Sequence, residues 1–359
     1  MMVMKHLKTI MLALLLLLPL MAVAQIQHVQ GPPVNNQSSQ PLKPTKQRPQ
    51  KQNSEFKGLS AKQIGQTAYD YYYGKNGKDR NMCMGLEWAH KAAEMGDSLG
   101  QRIIGFAYQM GECSFKKDYV EAAKWYRKAA DQGNMLAQFL LASLYKDGHG
   151  VTQDYAEAAK WFLKAADQGD AFSQYYLGEL YFEGRGITKD YAEAAKWYLK
   201  AAEQNNAFAQ AQLCECYYYG YGVTQDYAEA VKWGIKSSKS YIVGHYLGDC
   251  YLYGKGVPQN YTEAVRWLRA SVSPNGYLLL GLCYYNGWGV TQDYAEAFRL
   301  YKYNASCGRA EGMTKVGECY FNGEGTEKNL DEAKSWLRKA AEKGNRDAKQ
   351  RLKEWFGEE

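Results

Sequence analysis

Few residues in this sequence are placed to make or break bonds. Its only histidines are His6, His28, His90, His149 and His245. They are too scattered to share a metal ion, and none has a nucleophile beside it to activate. Gly-x-Gly pairs such as Gly184-Arg185-Gly186 follow a helical pattern rather than a strand. They also lack the Lys-Ser/Thr of a phosphate-binding loop, so helix termination accounts for them. No Ser-x-x-Lys stands where an acylating serine would need it. The expectation is no catalytic residue, no metal and no cofactor. Binding chemistry is better represented. The middle residue of Gly-x-Gly is polar at His149, Arg185, Lys255 and Glu324, but is Tyr221 in one place and Trp288 in another. Close by stand Tyr218, Tyr219, Tyr253 and Tyr285. Exposed tyrosine and tryptophan offer contact area at low entropic cost and serve as interface anchors. They suit stacking on sugar rings equally well, and packing of the loop against the next repeat is the competing role.

The elements that must position these residues recur along the chain. Segments starting at Tyr119, Tyr155 and Tyr191 are each 36 residues long; those starting at Tyr227, Tyr261 and Tyr294 run 34, 33 and 36. Met82 to Asp118 is a 37-residue version, and Leu330 opens a truncated one. Within Tyr155 to Asp190, Ala158, Trp161, Phe162, Ala165 and Ala166 form the stripe of an amphipathic helix, which Gly169 ends. A second helix carries Tyr176, Leu177, Leu180 and Tyr181 on one face. Gly178 inside it costs about 1 kcal/mol relative to alanine. Its counterparts Gly105, Ala142, Cys214, Gly248, Gly281 and Gly317 are all small, which predicts close helix approach there. A tryptophan anchors each first helix (Trp88, Trp125, Trp161, Trp197, Trp233, Trp267 and Trp336), with Leu300 the exception. Each helix pair shows an apolar face that it cannot hide alone, so neighbours must stack.

The pattern E-A-x-K-W, K-A-A-x-x-G, L-G-x-x-Y and G-x-G-V-T-x-D, as in Glu157 to Trp161, Lys164 to Gly169, Leu177 to Tyr181 and Gly148 to Asp154, resembles the Sel1-like repeat family. That family is related to the tetratricopeptide repeats, and the resemblance covers about 82–345. It implies an all-α, right-handed superhelical α-solenoid of about seven to eight helix–turn–helix repeats, acting as an adaptor that brings proteins together. Some exported, cysteine-rich members have been linked to binding of β-lactams or cell-wall fragments. The turns at Ile235 to Ser240 and Ala270 to Gly276 are rewritten and shorter, which predicts a change of pitch.

Eight cysteines are present. Cys216, Cys250, Cys283 and Cys319 occupy one place in successive repeats, about 9–10 Å apart on helix spacing, beyond disulfide reach. They read as small buried apolar residues. Cys83 opens one helix and Cys113 follows the next; an antiparallel hairpin would bring those ends together, so a bridge is expected in an exported protein. Residues 1–24 read as a signal peptide, with Lys5 and Lys8, an apolar run from Ile10 to Leu20, and Ala22-Val23-Ala24. Residues 25–60, rich in Gln and Pro, read as a disordered linker. Residues 61–81 read as a capping half-repeat, 82–345 as the solenoid and 346–359 as a capping helix. Removing Lys5, Lys8, Lys43, Lys46, Arg48, Lys51, Lys57 and Glu55 from the net +6 leaves residues 61–359 neutral, which excludes a nucleic-acid partner. The expectation is a non-catalytic scaffold of the bacterial envelope or exterior, periplasmic or secreted, that binds a protein or peptide. It has no integral membrane span after signal cleavage. The alternative is a binder, or less readily a hydrolase, of cell-wall glycan or β-lactam.

Overall fold

The computed structural model describes residues 55–358, in which every regular element is a helix. Residues 1–54, which hold the expected signal peptide and most of the expected linker, lie outside the described residues. Helices α1 (Ala61–Tyr73) and α2 (Met82–Glu94) fall in one compact unit, which ends at Asp97. The second unit begins at Ser98 with α3 (Ser98–Met110), α4 (Tyr119–Asp131), α5 (Met135–Asp147), α6 (Tyr155–Asp167) and α7 (Ala171–Glu183). It continues with α8 (Tyr191–Glu203), α9 (Ala207–Tyr219), α10 (Tyr227–Lys236), α11 (Ser240–Tyr253), α12 (Tyr261–Ala270) and α13 (Pro274–Asn286). It closes with α14 (Tyr294–Ser306), α15 (Ala310–Asn322), α16 (Leu330–Glu342) and α17 (Arg346–Phe356). Within that unit successive helices pack on one another in chain order, the arrangement of an α-solenoid. Among the described residues no helix is long and apolar enough to cross a membrane.

In the first unit, Ser60 caps α1 through a reciprocal box with Gln63. Gly85 of α2 lies so close to α1 that a Cβ would meet the Tyr72 backbone nitrogen at 2.7 Å. Residues 55–60 come from the compositional linker, yet the Phe56 ring packs edge-on against Trp88 at 4.7 Å.

In the second unit the first helix of each repeat starts where its sequence repeat starts. The residue just before it is the N-cap: Asp118, Asp154, Asp190, Asp226, Asn260, Asp293 or Asn329, whose side chain accepts backbone N–H groups of the first turn. Each second helix from α5 to α15 ends on a left-handed glycine, from Gly148 to Gly323. The tryptophan row packs as expected at Trp161, Trp197, Trp233 and Trp267, all buried, with Leu300 filling the same place. Trp125 and Trp336 are half-buried.

The small position of the second helix is a socket. A Cβ on Gly105, Gly178 or Gly281 would stand 2.6–2.7 Å from the ring of Tyr126, Tyr198 or Tyr301, on the first helix of the next repeat. Where the socket holds Cys214 instead, the ring is missing: the facing residue is Gly234, whose own Cβ would meet the Cys214 sulfur at 3.1 Å. Cys214, Cys216, Cys250, Cys283 and Cys319 are free and buried, and Cys307 is free and exposed. Burial pushes the Cys216, Cys250, Cys283 and Cys319 thiols up to about 12, so they pack as small apolar groups.

A glutamine ladder joins the turns. Gln138, Gln174 and Gln210 each donate to a carbonyl of the preceding turn at 3.1 Å, and their own side-chain carbonyls take up the next rung: Gln168 donates to Gln138 and Gln204 to Gln174. It stops at the shortened turns. There α10 and α12 have 10 residues rather than 13, and Ser237 bonds the Ala207 carbonyl at 2.8 Å instead.

Candidate binding surface

The second glycine of each Gly-x-Gly loop explains where the middle residue must go. A Cβ on Gly222 would lie 2.0 Å from the carbonyl oxygen of Tyr191, so only glycine lets the loop rest on the start of its own repeat's first helix. Residue x is then laid over that helix's opening tyrosine. His149 stacks on Tyr119, Tyr221 on Tyr191 at 5.2 Å and Trp288 on Tyr261 at 5.5 Å. Arg185 and Lys255 hold their cations over Tyr155 and Tyr227 at 5.6 and 5.7 Å. Tyr221 and Trp288 are half-buried accordingly. The ring each loop meets belongs to its own repeat, where the sequence reading had set packing against the next repeat as the competing role.

The other four tyrosines divide. The Tyr218 hydroxyl donates to Asp249 at 2.5 Å, and its ring meets those of Tyr219, Tyr227 and Tyr246 at 4.9–5.3 Å. Tyr219 touches Tyr221 and Tyr246 yet stays 45% exposed. Tyr253 is 47% exposed, with the Lys255 ammonium 5.3 Å from its ring centroid. Tyr218, Tyr219, Tyr221 and Tyr253 thus share one surface. Tyr285 and Trp288 make their contacts one repeat further on, Tyr285 donating to Glu324 at 2.7 Å and lying edge-on to Tyr294.

Asp249, only 9% exposed, organises this surface. It accepts from both Tyr218 and the Lys255 ammonium, the latter at 2.6 Å. Burial, then the bond to Asp249, pushes the Tyr218 phenol up. Burial disfavours the charge on Lys255, but the Asp249 hydrogen bond and charge outweigh it and hold its pKa above the ordinary lysine value. Burial also raises the phenols of Tyr219 and Tyr253. All three tyrosines are therefore neutral near pH 7. Asp249, Lys255 and Tyr246 were missed in the sequence. The signal was the third residue of Leu177-Gly178-Glu179-Leu180, Leu213-Cys214-Glu215-Cys216, Leu247-Gly248-Asp249-Cys250 and Val316-Gly317-Glu318-Cys319. An acid recurs there inside an apolar segment, and an acid so placed needs buried partners. Glu179 takes Gln212 at 2.6 Å and Glu318 takes Lys315 at 2.8 Å. Among the described residues no group of three or more His, Cys, Asp or Glu side chains is placed to hold a metal ion.

The Sel1 repeat model matches eight times, at residues 64–97, 98–134, 136–170, 171–206, 207–240, 245–272, 274–308 and 310–345. The first match begins before the region covered by the sequence resemblance and takes in α1 and α2. Among solved structures, the chain is similar to c5321, described as a protective antigen present in uropathogenic Escherichia coli strains and displaying an SLR fold. Identity is 34% and the TM-score 0.67, over 84% of this chain and 65% of that one. This chain therefore spans slightly less than two thirds of that protein. A Sel1 repeat protein from Oxalobacter formigenes is 26% identical with a TM-score of 0.54, over 89% of this chain and 98% of that one. A comparison with curated proteins finds no match.

Proposed function

This chain belongs to the Sel1 repeat family, and from that premise we propose that it is a non-catalytic scaffold that binds a protein or peptide in the bacterial envelope or exterior. Sel1 repeats generally mediate protein interactions. The observation that carries the reading is the pair of exposed rings at Tyr219 and Tyr253. The same position is Asp147, Glu183, Asn286 or Asn322 in other repeats. Both rings are held beside packed neighbours, so a partner that covers them pays little to order them. Tyr218 and Tyr221 support this rim, and Tyr285 and Trp288 extend it by one repeat. Export follows from the signal peptide at residues 1–24 and leaves the protein periplasmic or secreted. An oxidised Cys83–Cys113 bridge belongs to the same proposal, and peptide mapping without reductant checks it.

The test uses the mature chain as bait in an envelope extract, beside a Tyr219→Ala/Tyr253→Ala variant of equal helicity. A protein captured by the wild type and lost with the variant supports the scaffold. Equal capture by both removes the rim from the reading. Retention of cell-wall glycan with no protein would replace the protein partner by a glycan.

A further inference from the structure

We infer that the notch between α5 and α7 is a binding site for an uncharged, hydroxyl-rich ligand, one or two sugar rings in size. It lies apart from the tyrosine rim and stands whether or not that rim binds a protein. The last turn of α5, the start of α6 and the last two turns of α7 with their loop enclose a cavity of about 310 Å³. This is the low end of the roughly 300–1,000 Å³ range of small-ligand pockets. Its principal walls are Lys146, Asp147, Tyr155, Tyr176, Glu183 and Arg185.

The corresponding notch two repeats on shows why this one is hollow. There Tyr218 stands for Lys146, Tyr219 for Asp147, Asp249 for Glu179, Tyr253 for Glu183 and Lys255 for Arg185. The Tyr218 ring packs there on Tyr227 and Tyr246, the counterparts of Tyr155 and Tyr176, and its hydroxyl and Lys255 both end on Asp249. In the first notch the carboxylate is engaged elsewhere: Glu179 accepts from Gln212 and Tyr198 of the next repeat. Lys146 pairs instead with Asp147 at 2.5 Å and Arg185 with Glu183 at 2.9 Å.

Those pairings select the ligand. An ionic ligand would have to break a pair that already balances itself. A neutral ligand meets the donors that Lys146 and Arg185 have left and the remaining lone pairs of Asp147 and Glu183. The Tyr155 oxygen accepts from Gln153 at 3.1 Å, which leaves its O–H to donate. Tyr155 and Tyr176 complete the lining, but Arg185 covers the first ring at 5.6 Å and Lys146 the second at 5.3 Å, so the polar groups rather than the rings select the ligand. A wall of donors beside the Asp147, Glu183 and Glu179 carboxylates, the last held only by uncharged donors, matches the hydroxyl groups of a saccharide.

The experiment titrates the full chain with glucose, N-acetylglucosamine, cellobiose and chitobiose, by calorimetry and saturation-transfer NMR, at about 0.05 and about 0.5 M salt. At least one sugar should bind, with affinity nearly independent of salt. Lys146→Tyr with Arg185→Tyr, the residue types found at 218 and 221, should plug the notch and weaken binding about tenfold or more. Arg185→Ala, a change at an exposed side chain, should weaken it without filling the space. Tyr219→Ala/Tyr253→Ala should leave sugar binding unchanged. Failure of all four sugars to bind, undiminished binding by the plugged variant, or a steep fall of affinity with salt would each overturn the assignment.

Discussion

Gly178 has no room for a side chain, because the Tyr198 ring lies 2.6 Å from where its Cβ would begin. Gly178→Ala gains about 1 kcal/mol of helix propensity but incurs roughly 1–3 kcal/mol of overpacking. The net expectation is a loss of up to about 2 kcal/mol, read as a lower denaturation midpoint. His245 supplies a second residue-scale prediction. Burial pushes its imidazole down to about 4, against smaller raising effects from the Ile242 carbonyl and Asp249. The unfolded chain takes up the proton near the ordinary value of about 6.5, so protonation favours unfolding. This contribution is complete above pH 6.5 and drains away as pH falls toward 4, by about 2 kcal/mol after allowance for partial exposure. Melting temperatures across that window should fall in the wild type and stay flatter in His245→Gln.

At the scale of the element, two devices hold each repeat to the next. The N-cap aspartates fix where the first helices begin, and Asp154→Ala should cost about 1 kcal/mol of stability, measured by urea denaturation. The glutamine ladder fixes the turns. Gln174→Leu would remove its bonds to the Ala166 carbonyl, which keeps the Gly169 N–H, and to the exposed Gln204 amide, at an expected cost of about 1 kcal/mol. Sequence periodicity set the helix starts to the residue, because capping is local. The ladder was not legible there, since its rungs join residues about 30 positions apart. The shortened turns were visible as deletions. What they expose was not: Ile235, Tyr241 and Val272 stand 50%, 42% and 60% exposed where those turns lose the ladder.

At the scale of the whole molecule, the second unit is a stack in which each repeat touches its neighbours, so damage should stay local. Hydrogen exchange in Gln174→Leu should rise in α6 to α9 and remain at wild-type levels in α15 to α17. The export proposal predicts a mature N-terminus at Gln25, checked by N-terminal sequencing of protein from fractionated cells; a chain still beginning at Met1 outside the cytoplasm would contradict cleavage there. The sequence by itself determined the helix pairs, their boundaries, the tryptophan row and the need to stack. All of these follow from apolar periodicity, caps and glycines read over a few residues. Only the tertiary structure decided which aromatic rings are spent on packing and which remain free. Tyr221 and Trp288 stack on the opening tyrosines of their own repeats, about 30 residues earlier, whereas Tyr219 and Tyr253 keep nearly half their surface. It also decided that a cavity opens between α5 and α7, where Lys146 pairs with Asp147, while two repeats on Lys255 pairs with Asp249. That outcome depends on which of several nearby carboxylates each cation reaches, a competition settled by three-dimensional distance rather than by residue type.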